Sequence, residues 1–273
     1  MPDLATLAPL IAVLLATGAF AGILAGLLGV GGGIVLVPAF YSVFSVLGYG
    51  GPALMQVCVA TSLATIVVTS WRSVRAHAAK GAVETDVLRG WGPGIVAGAA
   101  VGALVATRLR SETLTAIFAG LALAVALYML LSRAHWRLAE TMPAGPSRWA
   151  YAGGTGFLSV LMGIGGGSIG VPVLTLHGTP IHRAVATAAG FGMLIAVPSV
   201  LLFLILPTDV PRPPLTLGLV NGPAFVLVIA MTFLTAPVGA GLAHRMNPGP
   251  LKKVFAVFLL LVALNMLRKA LFG

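Results

Sequence analysis

An apolar run long enough to be a membrane helix is broken by glycines, and the break is made twice. Residues 22–38 read GILAGLLGVGGGIVLVP, and 134 positions later residues 156–172 read GFLSVLMGIGGGSIGVP. Each glycine costs about 1 kcal/mol relative to alanine inside a helix. Backbone released from a helix at membrane depth must be buried in protein or line a cavity, because lipid offers its N–H and C=O groups no partner. Gly/Pro interruptions at matching positions of two halves are the sequence mark of a transporter site.

The rest of the chain supports a membrane setting. Hydrophobic residues make up 59% of the 273 and charged residues only 8%, against about 25% charged in a soluble globule. Apolar stretches fall at 7–28, 34–47, 53–71, 91–107, 113–132, 149–162, 168–176, 184–206, 215–243 and 251–267. A helix needs about 20 residues to cross, so 34–47, 149–162 and 168–176 are too short alone; they flank the glycines. The runs are continuously apolar, unlike the alternating segments of about 10 residues in a β-barrel. The expected fold is therefore an all-α integral membrane protein, a polytopic helical bundle of two homologous halves, each with a glycine-broken helix or a re-entrant hairpin. The start, Met1-Pro2-Asp3, lacks a basic n-region, so residues 7–28 are expected to stay in the mature protein. The single Cys58 excludes an internal disulfide and a multi-cysteine metal framework.

The net charge of +10 sits mainly between apolar runs, where the positive-inside rule already predicts an excess; nucleic acid is not an expected partner. Loop 72–90 carries Arg72, Arg75, Lys80 and Arg89, and loop 133–148 carries Arg133, Arg137 and Arg148, which makes both cytoplasmic candidates. If each glycine cluster is a hairpin tip, loops 72–90, 133–148, 177–183 and 244–250 share one side and the halves are inverted. If residues 7–28 span alone, or each cluster kinks one crossing helix, the count and orientation change.

The repeat extends beyond the glycines. Val59-Ala60-Thr61 matches Val185-Ala186-Thr187, Gly92-Pro93 matches Gly222-Pro223, and Arg108 matches Arg245 at the end of matching helices. The expected division is a first membrane repeat over 1–132, a linker over 133–148 and a second repeat over 149–273, together one interlocked transport domain. Gly18, Gly22 and Gly26, like Gly94, Gly98 and Gly102, recur every four residues and give smooth helix faces for close backbone packing.

Candidate substrate-binding groups cluster at the breaks: Gly29, Gly31, Gly32 and Gly33, then Gly163, Gly165, Gly166 and Gly167. A helix restarting at Ile34, and again at Ser168, would aim free N–H groups and its positive end at an anion, with Ser168 as cap and donor. Pro38 and Pro172 are expected as structural helix breaks. Thr61, Thr65 and Thr69 lie at i, i+4 and i+8 with Ser62 beside them, a hydroxyl stripe facing inward, although such hydroxyls also bond their own i−4 carbonyls. The second half keeps Thr187 but has Ala188 for Ser62, so the site is expected to be asymmetric. Asp3, Glu84, Asp86, Glu112, Glu140 and Asp209 all fall in loops or termini, which argues against a cation as main cargo. His77, His135, His177, His182 and His244 lie at span ends without the i, i+4 metal spacing, and snorkelling to headgroups accounts for Arg108 and Arg245. No nucleophile–base pair, paired carboxylate or phosphate loop with lysine is present, the dinucleotide reading Gly-x-Gly-x-x-Gly of the glycine clusters lacks a βαβ context, and neither an enzyme nor a cofactor or metal is expected.

The paired glycine elements at 29–38 and 163–172, with Ala60-Thr61-Ser62-Leu63 ahead of a basic loop holding His77, resemble the sulfite exporter TauE/SafE family of membrane permeases. The resemblance covers 18–270. It implies an inner-membrane protein of about eight helices that moves a small anion such as sulfite, a sulfonate or sulfoacetate, with Gly29, Gly31, Gly32, Gly33, Pro38, Thr61, Ser62, Gly163, Gly165, Gly166, Gly167 and Pro172 on the family motif. An anion channel and a non-transporting scaffold or receptor are the alternatives from other classes.

Overall fold

The computed structural model describes residues 4–29, 31–132, 136–206, 211–243 and 248–272. They form α1 (Leu4–Leu28), α2 (Gly33–Val46), α3 (Leu54–Ala78), α4 (Thr85–Arg108), α5 (Ser111–Leu131), α6 (Gly145–Leu161), α7 (Gly167–Leu176), α8 (Ile181–Ile205), α9 (Gly222–Ala243) and α10 (Pro248–Phe272). A two-stranded ribbon, β1 (Thr216–Leu217) with β2 (Val220–Asn221), precedes α9. The fold is all-α and polytopic. Among the described residues, six helices are long and apolar enough to cross a membrane: 8–27, 54–78, 85–108, 111–131, 181–205 and 222–242.

Several boundaries depart from the apolar stretches; α4, for one, starts at Thr85 rather than 91, so Arg89 lies on a helix. The helix expected to end at 71 runs to Ala78, so Arg72 and Arg75 ride on helix rather than loop; their long stems can cover apolar surface while the charge reaches polar ground. The stretch 215–243 is not one span, because residues 216–221 form the ribbon and the helix begins only at Gly222. An Asn-Gly-Pro sequence is turn chemistry rather than helix interior.

The glycine stripes set the packing. α1 lies along α9, with Gly18 against Val228, Gly22 against Thr232 and Gly26 against Ala236 and Ala240. α4 lies along α6 in the same manner, with Gly94 against Ala152, Gly98 against Gly153 and Gly102 against Phe157 and Val160. Both pairs run parallel, and in both a Cβ on the stripe would strike the partner's backbone. α3 also runs parallel to α9, since Thr61 meets Asn221 and the Arg72 guanidinium sits 4.3 Å from the centre of the Phe233 ring. α4 runs parallel to α8 through the pairs Leu88–Gly190 and Gly92–Leu194. Short turns reverse α3 into α4 and α4 into α5, and α10 finishes with Lys269 beside Ser42 and Tyr41 of α2. Thus α1, α3, α5 and α9 point one way and α4, α6, α8 and α10 the other. Every helix pair matched by sequence (α1 with α6, α3 with α8, α4 with α9) is antiparallel.

Neither glycine cluster is a kink in a single crossing helix. After Leu28 the chain doubles back, so that Gly32 returns to within 2.9 Å of the Ala21 carbonyl, measured from an added Cβ. α2 then runs back beside α1. α6 and α7 make the same hairpin, with the Tyr151 ring on the first and His177 just past the second in edge contact at 5.2 Å. At about 1.5 Å per residue α2 and α7 are roughly 21 and 15 Å long, too short to cross. The turn after α3, the turn 177–180 and the described part of the linker share one end of the bundle, where Leu138 N–H donates to the Leu176 carbonyl at 2.8 Å.

Candidate functional site

α3 is the axle of the bundle, with 83% of its span buried, and both hairpin tips meet its midpoint. Ile66 touches Gly31 and Gly33, while the Ser62 hydroxyl donates to the Gly163 carbonyl at 2.7 Å. The tips also touch each other. A Cβ on Gly31 would lie 2.9 Å from Gly165 Cα, and one on Gly33 would overlap the Gly163 carbonyl. Glycine is required here for space and, at several positions, for conformation: Gly29, Gly31, Gly32 and Gly163 have φ of 66°, 76°, 76° and 61°, a region where a side chain is strained. Gly165, Gly166 and Gly167 adopt no such φ, so the two tips are not copies in backbone detail.

The helices restart one residue earlier than expected, at Gly33 and Gly167 rather than Ile34 and Ser168. Gly32 and Gly166 are the caps, and neither offers a side chain. Ser168 is therefore not a cap. It lies inside the first turn of α7, buried, and its hydroxyl has no hydrogen-bond partner. Pro38 and Pro172 do not break their helices either. Each is the sixth residue of a helix that continues past it; a proline there removes one hydrogen bond to the fourth preceding carbonyl, on Ile34 and Ser168.

The hydroxyl stripe divides into two kinds. Thr65 Oγ1 donates to the Ser62 carbonyl at 2.6 Å and Thr69 Oγ1 to that of Thr65 at 3.0 Å; these serve their own helix. Thr61 and Ser62 reach the other half, as does Thr187. Thr61 Oγ1 accepts the Asn221 N–H at 2.9 Å, and Thr187 Oγ1 accepts the Glu84 N–H at 2.9 Å. The two threonines matched by sequence thus each receive a backbone donor from the opposite half, and each keeps its own proton to give.

Sequence reasoning missed three participants. Asn221 is buried, caps α9 through Oδ1 to the Ala224 N–H at 3.1 Å, and holds the ribbon through Nδ2 to Pro214 O and Thr216 Oγ1; its signal was the Asn-Gly-Pro run. Ile66 had none, being one apolar residue among many. Glu84, read only as a loop carboxylate, pairs with Arg183 at 2.7 Å. Among the described carboxylates Asp86 and Glu112 sit in first turns at bundle ends and none lies deeper. His77 Nε2 lies 3.1 Å from the Gly26 carbonyl, and His177 Nδ1 2.7 Å from that of Val173. Asp3, Arg133, His135, Asp209, His244 and Arg245 lie outside the described residues.

A multi-pass helical bundle with two glycine-tipped hairpins meeting at its centre is the build of a membrane transporter. The chain matches the model of the sulfite exporter TauE/SafE family over residues 14–266 and belongs to that family. It is 34% identical over 257 residues to a "Probable membrane transporter protein" of Haemophilus influenzae, covering 93% of this chain and 97% of that one. It is 26% identical to a "Probable membrane transporter protein" of Methanocaldococcus jannaschii, covering 94% and 96%, and 25% identical to one of Bacillus subtilis, covering 96% and 98%. No solved structure matches the chain.

Proposed function

We propose that the protein is a secondary transporter for a small sulfur-containing or organic anion such as sulfite, a sulfonate or sulfoacetate, and that the anion passes α3 where the hairpin tips meet. The observation that carries this reading is the contact of the two hairpin tips, Gly31 against Gly165 and Gly33 against Gly163, which brings the helix starts at Gly33 and Gly167 near each other in the buried centre. Each brings first-turn N–H groups without intrahelical partners and the positive end of a macrodipole, and the pair favours an anion. Thr61, Thr187 and Ser168 supply further hydroxyl protons. Ser62 gives its proton to Gly163 and acts by holding the tip, and Thr65 is spent on its own helix. Residues 1–132 and 149–273 form the two repeats, inverted about the membrane plane, joined by the linker 133–148.

Orientation follows from charge. Arg72, Arg75, Lys80, Arg89, Arg137, Arg148, Arg183 and Lys253 gather toward the end where α3 stops and α4 and α8 start; Arg108, Arg110, Arg212, Arg268 and Lys269 belong to the other. By the positive-inside rule the first end is cytoplasmic.

Proteoliposomes offered sulfite, alkanesulfonates and carboxylates test the reading. Saturable counterflow of a sulfur oxyanion is expected. A linear, unsaturated current would replace the carrier by an anion channel, and neither flux nor current would leave a scaffold.

A further inference from the structure

Near the end opposite the basic loops, a cavity of about 220 Å³ opens between the start of α3 and the end of α4, lined by Pro52, Gln56, Thr107, Arg108, Arg110 and the ribbon's Leu219 among others. At about 30 Å³ per molecule that is the room of roughly seven waters, fit for an ion of a few heavy atoms. Arg108 and Arg110 are exposed at its rim; Arg110 shares its charge with Glu112 at 3.4 Å. Gln56 is 5% exposed at its wall. Its Nε2 donates to the Leu109 carbonyl, while Oε1 is buried with no partner. An amide oxygen left so is an acceptor waiting for a donor.

The geometry points to a second, outer anion site in this cavity, selective for small oxyanions that also carry an O–H or N–H donor. The guanidinium groups take the anionic oxygens, and the Gln56 side chain, turning at the wall, presents its buried Oε1 to the donor. The cavity also lies on the same elements that lead to the hairpin crossing. Leu219 on its wall is two residues from Asn221, whose N–H bonds Thr61, and Gln56 precedes Thr61 by about 7.5 Å along α3. The site is thus the outer mouth of the path to the hairpin crossing and rests, in its role though not in its chemistry, on the transport reading above.

The test uses the whole detergent-solubilised chain. Thr107→Cys places a thiol on the cavity wall, where Thr107 Oγ1 bonds only within its own helix to Leu104 O; the native Cys58 is fully buried and serves as the silent background. Maleimide labelling is followed with 2-hydroxyethanesulfonate or ethanesulfonate present, which differ only in the donor. The hydroxylated ion is expected to protect at about tenfold lower concentration, one hydrogen bond to a buried acceptor. Gln56→Leu should abolish that difference and Arg108→Gln should weaken protection by both. Calorimetric titration of the unsubstituted protein and of Gln56→Leu with the two sulfonates separates the outer site from the hairpin crossing, the preference for the hydroxylated ion being expected in the first and lost in the second. Equal binding of the two ions, protection untouched by Arg108→Gln, or no binding at all overturns the outer site. Flux measured in parallel separates the two ideas: protection without transport refutes the carrier alone, and transport without protection refutes the outer site alone.

Discussion

The Ser62 hydroxyl is 2.7 Å from the Gly163 carbonyl, across 101 residues of sequence and between the two halves. Glycine frees that carbonyl from its helix, and the serine supplies the donor that lipid could not. Ser62→Ala leaves a buried acceptor unpaired and should cost about 1–3 kcal/mol, read as a lower melting temperature in detergent. Ser62→Thr, which keeps the hydroxyl, should recover most of it.

Bulk at the hairpin tips should stop transport. Gly33→Ala drives a Cβ into the Gly163 carbonyl and Gly166→Ala into Phe191. Both are expected to abolish flux in proteoliposomes. Gly120→Ala on α5, where an added Cβ meets nothing within 4 Å, should leave flux unchanged and stabilise by up to about 1 kcal/mol.

Thr61 and Thr187 perform the same task in unequal surroundings. The Asn221 N–H is buried and the Glu84 bond only partly so. Thr61→Val should therefore destabilise by about 1–3 kcal/mol, and Thr187→Val by about half as much because water can reach the freed donor. Equal losses in chemical denaturation would contradict this.

Orientation has a direct readout. Lys80→Cys lies just past α3 and Gly50→Cys just before it, both exposed. An impermeant thiol reagent outside intact cells should label position 50 and spare position 80; inverted vesicles should reverse the pattern.

Transport should need no sodium, since no described carboxylate lies deep in a span where cation coupling usually places one. A negative-inside potential expels a monovalent anion with about 2.3 kcal/mol per 100 mV. A current on a supported membrane should reverse with the anion gradient and be indifferent to sodium.

Fold class, hairpin positions and both glycine stripes were legible in the sequence because each depends on local composition: about 20 apolar residues span, and small residues every fourth place let backbones approach. What was not legible depends on tertiary partners. Nothing local to Ser168 says that the helix begins at Gly167, which turns a cap into an unpartnered hydroxyl. Nothing near Thr65 distinguishes it from Thr61, yet one bonds its own helix and the other the second half. Arg108, expected only at the headgroups, also borders a cavity because Leu219 arrives from more than 100 residues away.

The contact of Gly18 with Val228 has a consequence for how the protein is made. When α1 enters the bilayer its groove has no occupant, and the occupant is translated about 210 residues later, a delay of roughly 10–40 s at 5–20 residues per second. Throughout that interval the first helices must wait at the translocon or in lipid with their smooth faces uncovered. A nascent chain halted before α9 is therefore a target for membrane proteolysis, whereas one halted after it already has the α1 groove covered.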